Sequence, residues 1–264
     1  MDTSGQSPKR YAVIFAGAGP GDPELITVKA QKALAKADVV IYAGSLVPEA
    51  VLQWTRSGIA LINSAPLHLT EIIHEIEHAY HLGQQVVRLH TGDPSLYGAI
   101  FEQMMELNQR DIPYKVIPGV TAAFAAAAAM GIEYTLPEVS QTLILTRMAG
   151  RTPVPETESL QSLARHKTSM AIYLSINLID QVVSDLAQSY GEEATCAIAY
   201  RVSQPEEKII FSKLRHLKET VAKEKITKQA LIIVGRVLEA SNPQPAPKSK
   251  LYDKNFAHQY RSAC

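Results

Sequence analysis

In the first half of the chain, short β-branched and aromatic runs alternate with longer segments of helical period. The runs at 11–15, 39–42, 60–62, 85–89 and 114–117 predict strands. Between the first two, Ile26, Ala30, Ala33, Leu34 and Ala37 recur at helical spacing, which makes that crossover a βαβ unit. Strand and helix in turn imply a mostly parallel sheet. A second series opens after Pro137, with strands expected at 142–145, 170–174, 197–200, 208–211 and 230–234 and shorter, more polar helices between them. Gly131 and Pro137 punctuate the pattern, so the boundary is drawn there. The fold class is therefore α/β with two domains: an N-terminal one over 10–133, a C-terminal one over 134–240, and a tail over 241–264. That tail carries Pro243, Pro245 and Pro247, then Tyr252, Phe256 and Tyr260, which suits an extended arm packed on a partner subunit.

Composition narrows the function. Formal net charge is +0, so no bulk attraction to nucleic acid or to an anionic membrane is expected, and an acidic ligand has to be met locally. The cysteines, Cys196 and Cys264, are few and far apart, which reads as a reducing, cytoplasmic compartment without a disulfide framework. Residues 1–9 are polar and lack the apolar core of a secretory signal. The alanine-rich stretch 119–132 is too short for a membrane span, which needs about 20 apolar residues.

Three loops of unusual composition follow predicted strands: Gly17-Ala18-Gly19-Pro20-Gly21-Asp22-Pro23, Thr91-Gly92-Asp93-Pro94 and Pro118-Gly119-Val120-Thr121-Ala122. Each alone could be a tight turn between strand and helix. In an open α/β sheet, however, ligands bind outside the carboxyl ends of strands, and three such loops on one edge point to a site. Glycine allows close backbone approach and proline fixes φ, so the loops can hold amides and carbonyls rigidly at a ligand. A dinucleotide is disfavoured, and with it a nicotinamide oxidoreductase. The G-x-G-x-x-G pattern from Gly17 needs glycine where Asp22 stands, and that carboxylate would sit where a pyrophosphate should approach. A cofactor without phosphates remains compatible with the acidic turn.

A competing motif is His74-Glu75-Ile76-Glu77-His78, which matches the H-E-x-x-H of zinc metalloproteases. At about 100° per residue, His74, His78 and His81 share one face while Ile72, Ile73, Ile76, Ala79 and Tyr80 occupy the opposite one. The apolar face is expected on the sheet and the histidines in solvent, with no metal bound.

Taken together, in their order and spacing, the three Gly-rich loops resemble the signature of the tetrapyrrole methylase family over roughly 11–238. Within that family, 89–100, the stretch Gly150-Arg151-Thr152-Pro153-Val154-Pro155-Glu156 and Lys228-Gln229-Ala230 are similar to the methylases of cobalamin biosynthesis. His90-Thr91 stands where sirohaem-forming members usually carry a Lys-Gly or Arg-Gly pair. The resemblance implies two α/β domains with a cofactor cleft between them, usually as a homodimer. The implied cofactor is S-adenosyl-L-methionine, leaving as S-adenosyl-L-homocysteine, and the implied substrate is a small-molecule tetrapyrrole. By residue match, Pro20, Gly92, Asp93, Pro94, Tyr97, Thr121, Ala122, Leu174, Arg201, Val202 and Ala230 should line the cofactor pocket.

Methyl transfer from a sulfonium is an in-line displacement that needs alignment more than a strong acid or base, so no catalytic dyad is singled out. The substrate's carboxylates call for cationic or hydrogen-bonding partners. Arg88, His90, Arg147 and Arg151 are the candidates, expected at or near strand ends or in adjoining loops. Arg151, in a Pro-framed loop, is the leading one. His90 would bond substrate or orient the Gly-Asp-Pro loop.

Overall fold

The computed structural model describes residues 10–239 and 249–262. Two compact units meet between Ala125 and Ala126, inside the alanine-rich helix Ala122–Met130.

In the first unit, β1 (Val13–Gly17), β2 (Val39–Tyr42), β3 (Ala60–Asn63), β4 (Val86–His90) and β5 (Tyr114–Ile117) form one sheet in the order β3-β2-β4-β1-β5. Every pairing in it is parallel, as the alternation of strand and helix implied. β1 runs on to Gly17 rather than stopping at Phe15. Ala16 and Gly17 have little strand preference of their own, but they continue the pairing opposite Leu89 and His90.

Helices cover both faces of this sheet. α1 (Val28–Leu34) starts where the Thr27 hydroxyl accepts from the Ala30 amide at 3.2 Å. It buries Ala30, Ala33 and Leu34 against Ala16, Val40, Val87 and Leu89. On the other face, α2 (Leu69–His81) and α3 (Ile100–Gln109) pack on Val13, Phe15, Ile41 and Val86. The residues α2 buries are Ile72, Ile73, Ile76, Ala79 and Tyr80, the predicted stripe. At about 1.5–3 kcal/mol for each large apolar side chain buried, that stripe fixes which way the helix faces. His74, His78 and His81 are exposed.

The second unit carries β6 (Leu143–Arg147), β7 (Ser169–Tyr173), β8 (Thr195–Tyr200), β9 (Lys208–Lys213) and β10 (Ala230–Val234) in the order β6-β7-β10-β8-β9. Only β6 and β7 run parallel here; β10 is antiparallel to β7 and β8, and β8 to β9. The connection 201–207 accounts for one of these reversals, because a parallel crossover needs about a dozen residues or more. Leu160, Val182, Leu186 and Leu217, from α5 (Leu160–Ala164), α6 (Ile179–Tyr190) and α7 (Leu217–Lys223), close the core on Ile172, Ile198 and Ile232.

In the tail, Arg261 gathers the carbonyls of Leu251, Asp253 and Phe256 around its guanidinium and leaves Tyr252 and Tyr260 exposed. Pro243, Pro245, Pro247 and Cys264 lie outside the described residues. Among the described residues, no helix is long and apolar enough to cross a membrane.

Candidate functional site

β4, β1 and β5 are neighbours in the first sheet, and the Gly92, Gly17 and Gly119 loops leave their carboxyl ends side by side. Gly19 and Gly92 form an isolated antiparallel bridge. The Gly92 amide donates to the Gly19 carbonyl at 2.8 Å, the Gly19 amide to the Gly92 carbonyl at 3.3 Å, and the Ala18 amide to the His90 carbonyl at 2.7 Å. From the second loop, Asp93 Oδ2 accepts from the Gly119 amide of the third at 2.8 Å. All three loops are thus joined by direct hydrogen bonds.

The junction is too tight for side chains. A Cβ on Gly119 would stand 2.1 Å from the Gly92 carbonyl oxygen, and one on Gly17 would stand 2.6 Å from the Gly119 Cα. Glycine is required at both points for the backbones to touch.

Asp93 locks this junction. Burial pushes its carboxyl pKa up, but the Ser95 hydroxyl and the Gly119 and Ser95 amides outweigh that effect and hold it below its ordinary value. A carboxylate at this strand end needed partners, and Ser95 of its own loop and Gly119 of the third supply them. Ser95, which the sequence reading passed over, is one of them: its amide lies 2.8 Å from Asp93 Oδ1, and its hydroxyl donates to the same oxygen. The signal was present in the order Asp-Pro-Ser, since an aspartate often accepts from the amide two residues on. Beyond it, Tyr97 (φ +56°) and Ala99 (φ +48°) are both left-handed. For residues other than glycine this costs about 1–2 kcal/mol each, so the surroundings hold 93–99 against its own preference.

The other expected residues of the first unit lie around this junction. Pro20 and Pro94 are buried within the loops and Tyr97 is exposed. The Thr121 carbonyl accepts from Phe124 and Ala125 as the alanine-rich helix begins at Ala122. Asp22 caps the short turn Pro23–Leu25, its Oδ1 accepting from the Glu24 amide at 2.8 Å. The Glu24 amide of that turn is thus taken by the protein's own carboxylate.

Arg88 stands in β4, two residues before its end, and is buried. Its Nε donates to Gln103 Oε1 at 3.1 Å and its Nη1 to the Ile41 carbonyl at 3.2 Å. Burial lowers its pKa to about 10. The guanidinium ties β4 to β2 and α3. His90, at the end of the same strand, is 4% exposed, and its buried Nε2 has no hydrogen-bond partner among the described residues. Burial, and then the charge of Arg88, lower its pKa to about 3, so the ring is neutral at neutral pH.

In the second unit, Arg147, Leu174, Arg201 and Ala230 lie at one edge of their sheet, because β10 starts beside the ends of β7 and β8. Leu174 (φ +53°) is exposed and Val202 is buried. Arg201 donates from Nε to Gln229 Oε1 at 2.9 Å and pairs with Glu206 at 3.3 Å. Arg147 donates to the carbonyls of Met148 (3.3 Å), Thr152 (3.1 Å) and Pro153 (2.7 Å), so its guanidinium folds the loop on which Arg151 is exposed. Among the described residues, no group of three His, Cys, Asp or Glu side chains is placed to hold a metal.

Two α/β units, the first carrying a glycine-lined loop junction without a phosphate cradle, define the class. The chain belongs to the family of Tetrapyrrole (Corrin/Porphyrin) Methylases, which it matches over residues 12–218. It is 53% identical over 252 residues to the cobalt-precorrin-4 C(11)-methyltransferase of Methanocaldococcus jannaschii, covering 95% of this chain and 96% of that one. It is 46% identical over 249 residues to the precorrin-4 C(11)-methyltransferase of Pseudomonas aeruginosa, covering 94% and 98%. Among solved structures, it is similar to the uroporphyrin-III C-methyltransferase of Thermus thermophilus complexed with S-adenyl homocysteine. The TM-score is 0.73 at 26% identity, over 91% of this chain and 99% of that one.

Proposed function

We propose that this protein transfers a methyl group from S-adenosyl-L-methionine to C11 of precorrin-4, giving precorrin-5, in the building of the corrin ring of cobalamin. The observation that carries the reading is the hydrogen-bonded junction of Gly19, Gly92, Asp93 and Gly119, in a chain alike over nearly its whole length to methyltransferases of that name. The residues present suit this donor: the junction is built on backbone amides and carbonyls, and its carboxylates, Asp22 and Asp93, are compatible with a cofactor that carries no phosphate.

When bound, the donor supplies an electrophilic methyl. The electron pair of the ring carbon makes the new C–C bond, the S–C bond breaks, and its pair stays on a now neutral sulfur. The protein's part is alignment and exclusion of water. The junction holds Pro20, Gly92, Asp93, Pro94, Tyr97, Thr121 and Ala122 in fixed relation for the donor. In the second unit, Leu174, Arg201, Val202 and Ala230 are proposed as donor-binding residues.

Arg151 is the proposed clamp for a substrate carboxylate, since its guanidinium is exposed and Arg147 shapes its loop. Arg88 is committed to Gln103 and Ile41 and takes no substrate role in this reading. Neutral His90, at the end of β4 before the Gly-Asp-Pro loop, is proposed to orient that loop. The enzyme is proposed to work in the cytoplasm as a homodimer.

The second reading, a substrate already carrying cobalt, is favoured by the name of the Methanocaldococcus relative; that of the Pseudomonas relative favours the metal-free ring. Incubation with methyl-labelled S-adenosylmethionine and precorrin-4, with and without cobalt, followed by NMR location of the label, separates them. Label at C11 is the expected result, and no transfer under either condition overturns the substrate assignment.

A further inference from the structure

We propose that Trp54 is a positioning residue for the Gly-rich turn and that its indole senses occupancy of the donor site; this rests on the donor reading above. Trp54 ends the short turn Glu49–Trp54 and packs, half-buried, on the core of Ala18, Ala30, Leu34 and Val51. Its Nε1 donates to the Pro23 carbonyl at 3.1 Å. An indole has one donor and no acceptor, so this bond is its whole polar commitment.

Pro23 opens the turn Pro23–Leu25, which folds back until the Leu25 carbonyl oxygen lies 3.0 Å from where a Cβ on Gly19 would stand. Gly19 in turn exchanges hydrogen bonds with Gly92, and Asp93 holds Gly119. An unbroken series of contacts therefore runs from the indole to all three loops. Proline fixes φ at the first residue of the turn, and the indole N–H holds the carbonyl of that residue in place. The chain holds a single tryptophan, and its emission therefore reports the surroundings of this one indole.

The test titrates the full chain with S-adenosylhomocysteine by calorimetry and by tryptophan emission, and repeats the calorimetry on Trp54→Phe, which keeps an aromatic ring and removes the donor. Expected are a saturable emission change with the calorimetric Kd in the unaltered chain, and about fivefold weaker binding by a folded Trp54→Phe. That factor is about 1 kcal/mol at 1.4 kcal/mol per tenfold, the usual worth of one hydrogen bond. Emission unchanged at calorimetric saturation, or unaltered affinity in Trp54→Phe, overturns the proposal. If Trp54→Phe does not fold, the emission of the unaltered chain decides alone. Absence of heat from the unaltered chain overturns the donor reading and this inference with it.

Discussion

His90 should make the first unit acid-labile by an amount that follows from its burial. Its folded pKa is about 3 against an ordinary value of 6.5, because the ring is desolvated and lies near Arg88. An unfolded chain takes up a proton below pH 6.5 that the folded chain refuses. The stability from this group is complete above 6.5 and is lost as pH falls toward about 3. At 1.36 kcal/mol per pH unit, a step from about pH 6.5 to about pH 5 removes roughly 2 kcal/mol. His90→Phe removes the titration and the unpartnered Nε2 while keeping a ring beside Phe15, whose centroid is 6.0 Å from that of His90. Urea unfolding followed by Trp54 emission, at about pH 7 and about pH 5, gives the stability of the unit that holds both residues. The unaltered chain should lose roughly 2 kcal/mol more than His90→Phe between the two conditions. Equal losses in both proteins would refute the reasoning, since the other titrating groups are common to them.

Three further outcomes are expected. Gly119→Ala, whose Cβ would stand 2.1 Å from the Gly92 carbonyl oxygen, should abolish S-adenosylhomocysteine binding by calorimetry while circular dichroism stays native; unaltered affinity would contradict the junction's role. Arg147→Met frees the carbonyls of Met148, Thr152 and Pro153 and should raise KM for the tetrapyrrole several-fold with donor affinity unchanged; an unaltered KM would separate Arg147 from the Arg151 loop. Cys196 is buried, which pushes its thiol up to about 12. In a Cys264→Ser background it should resist iodoacetamide at about pH 8 until the chain is denatured, and alkylation of the native protein would contradict that burial.

Much of the first unit was legible because its central strands β1, β2 and β4 are mostly apolar, β-branched runs buried on both faces, and because α2 carries its buried residues on one stripe. Period alone does not reveal strand direction. In the second unit it emerges from how far each connection reaches, so the antiparallel placement of β10 between β7 and β8 appears only in three dimensions. The site shows the same division. The composition of the loops at Gly17, Gly92 and Gly119 pointed to one sheet edge, but the bond from Asp93 to Gly119 spans 26 positions and leaves no local pattern. Arg88 read as a cation at or near a strand end, and its partners, Gln103 on α3 and Ile41 on β2, are too distant in sequence to show in any local pattern. Arg147 likewise read as a substrate ligand, while its donors reach backbone carbonyls that no side-chain pattern marks.

Hydrogen exchange of the full chain, with and without saturating S-adenosylhomocysteine, tests the central claim most directly. Bound ligand should slow exchange of the amides in 17–22, 91–97 and 119–122 together, because the three loops form one hydrogen-bonded piece. Ligand that binds by calorimetry yet leaves all three loops exchanging at their free rates would contradict the account.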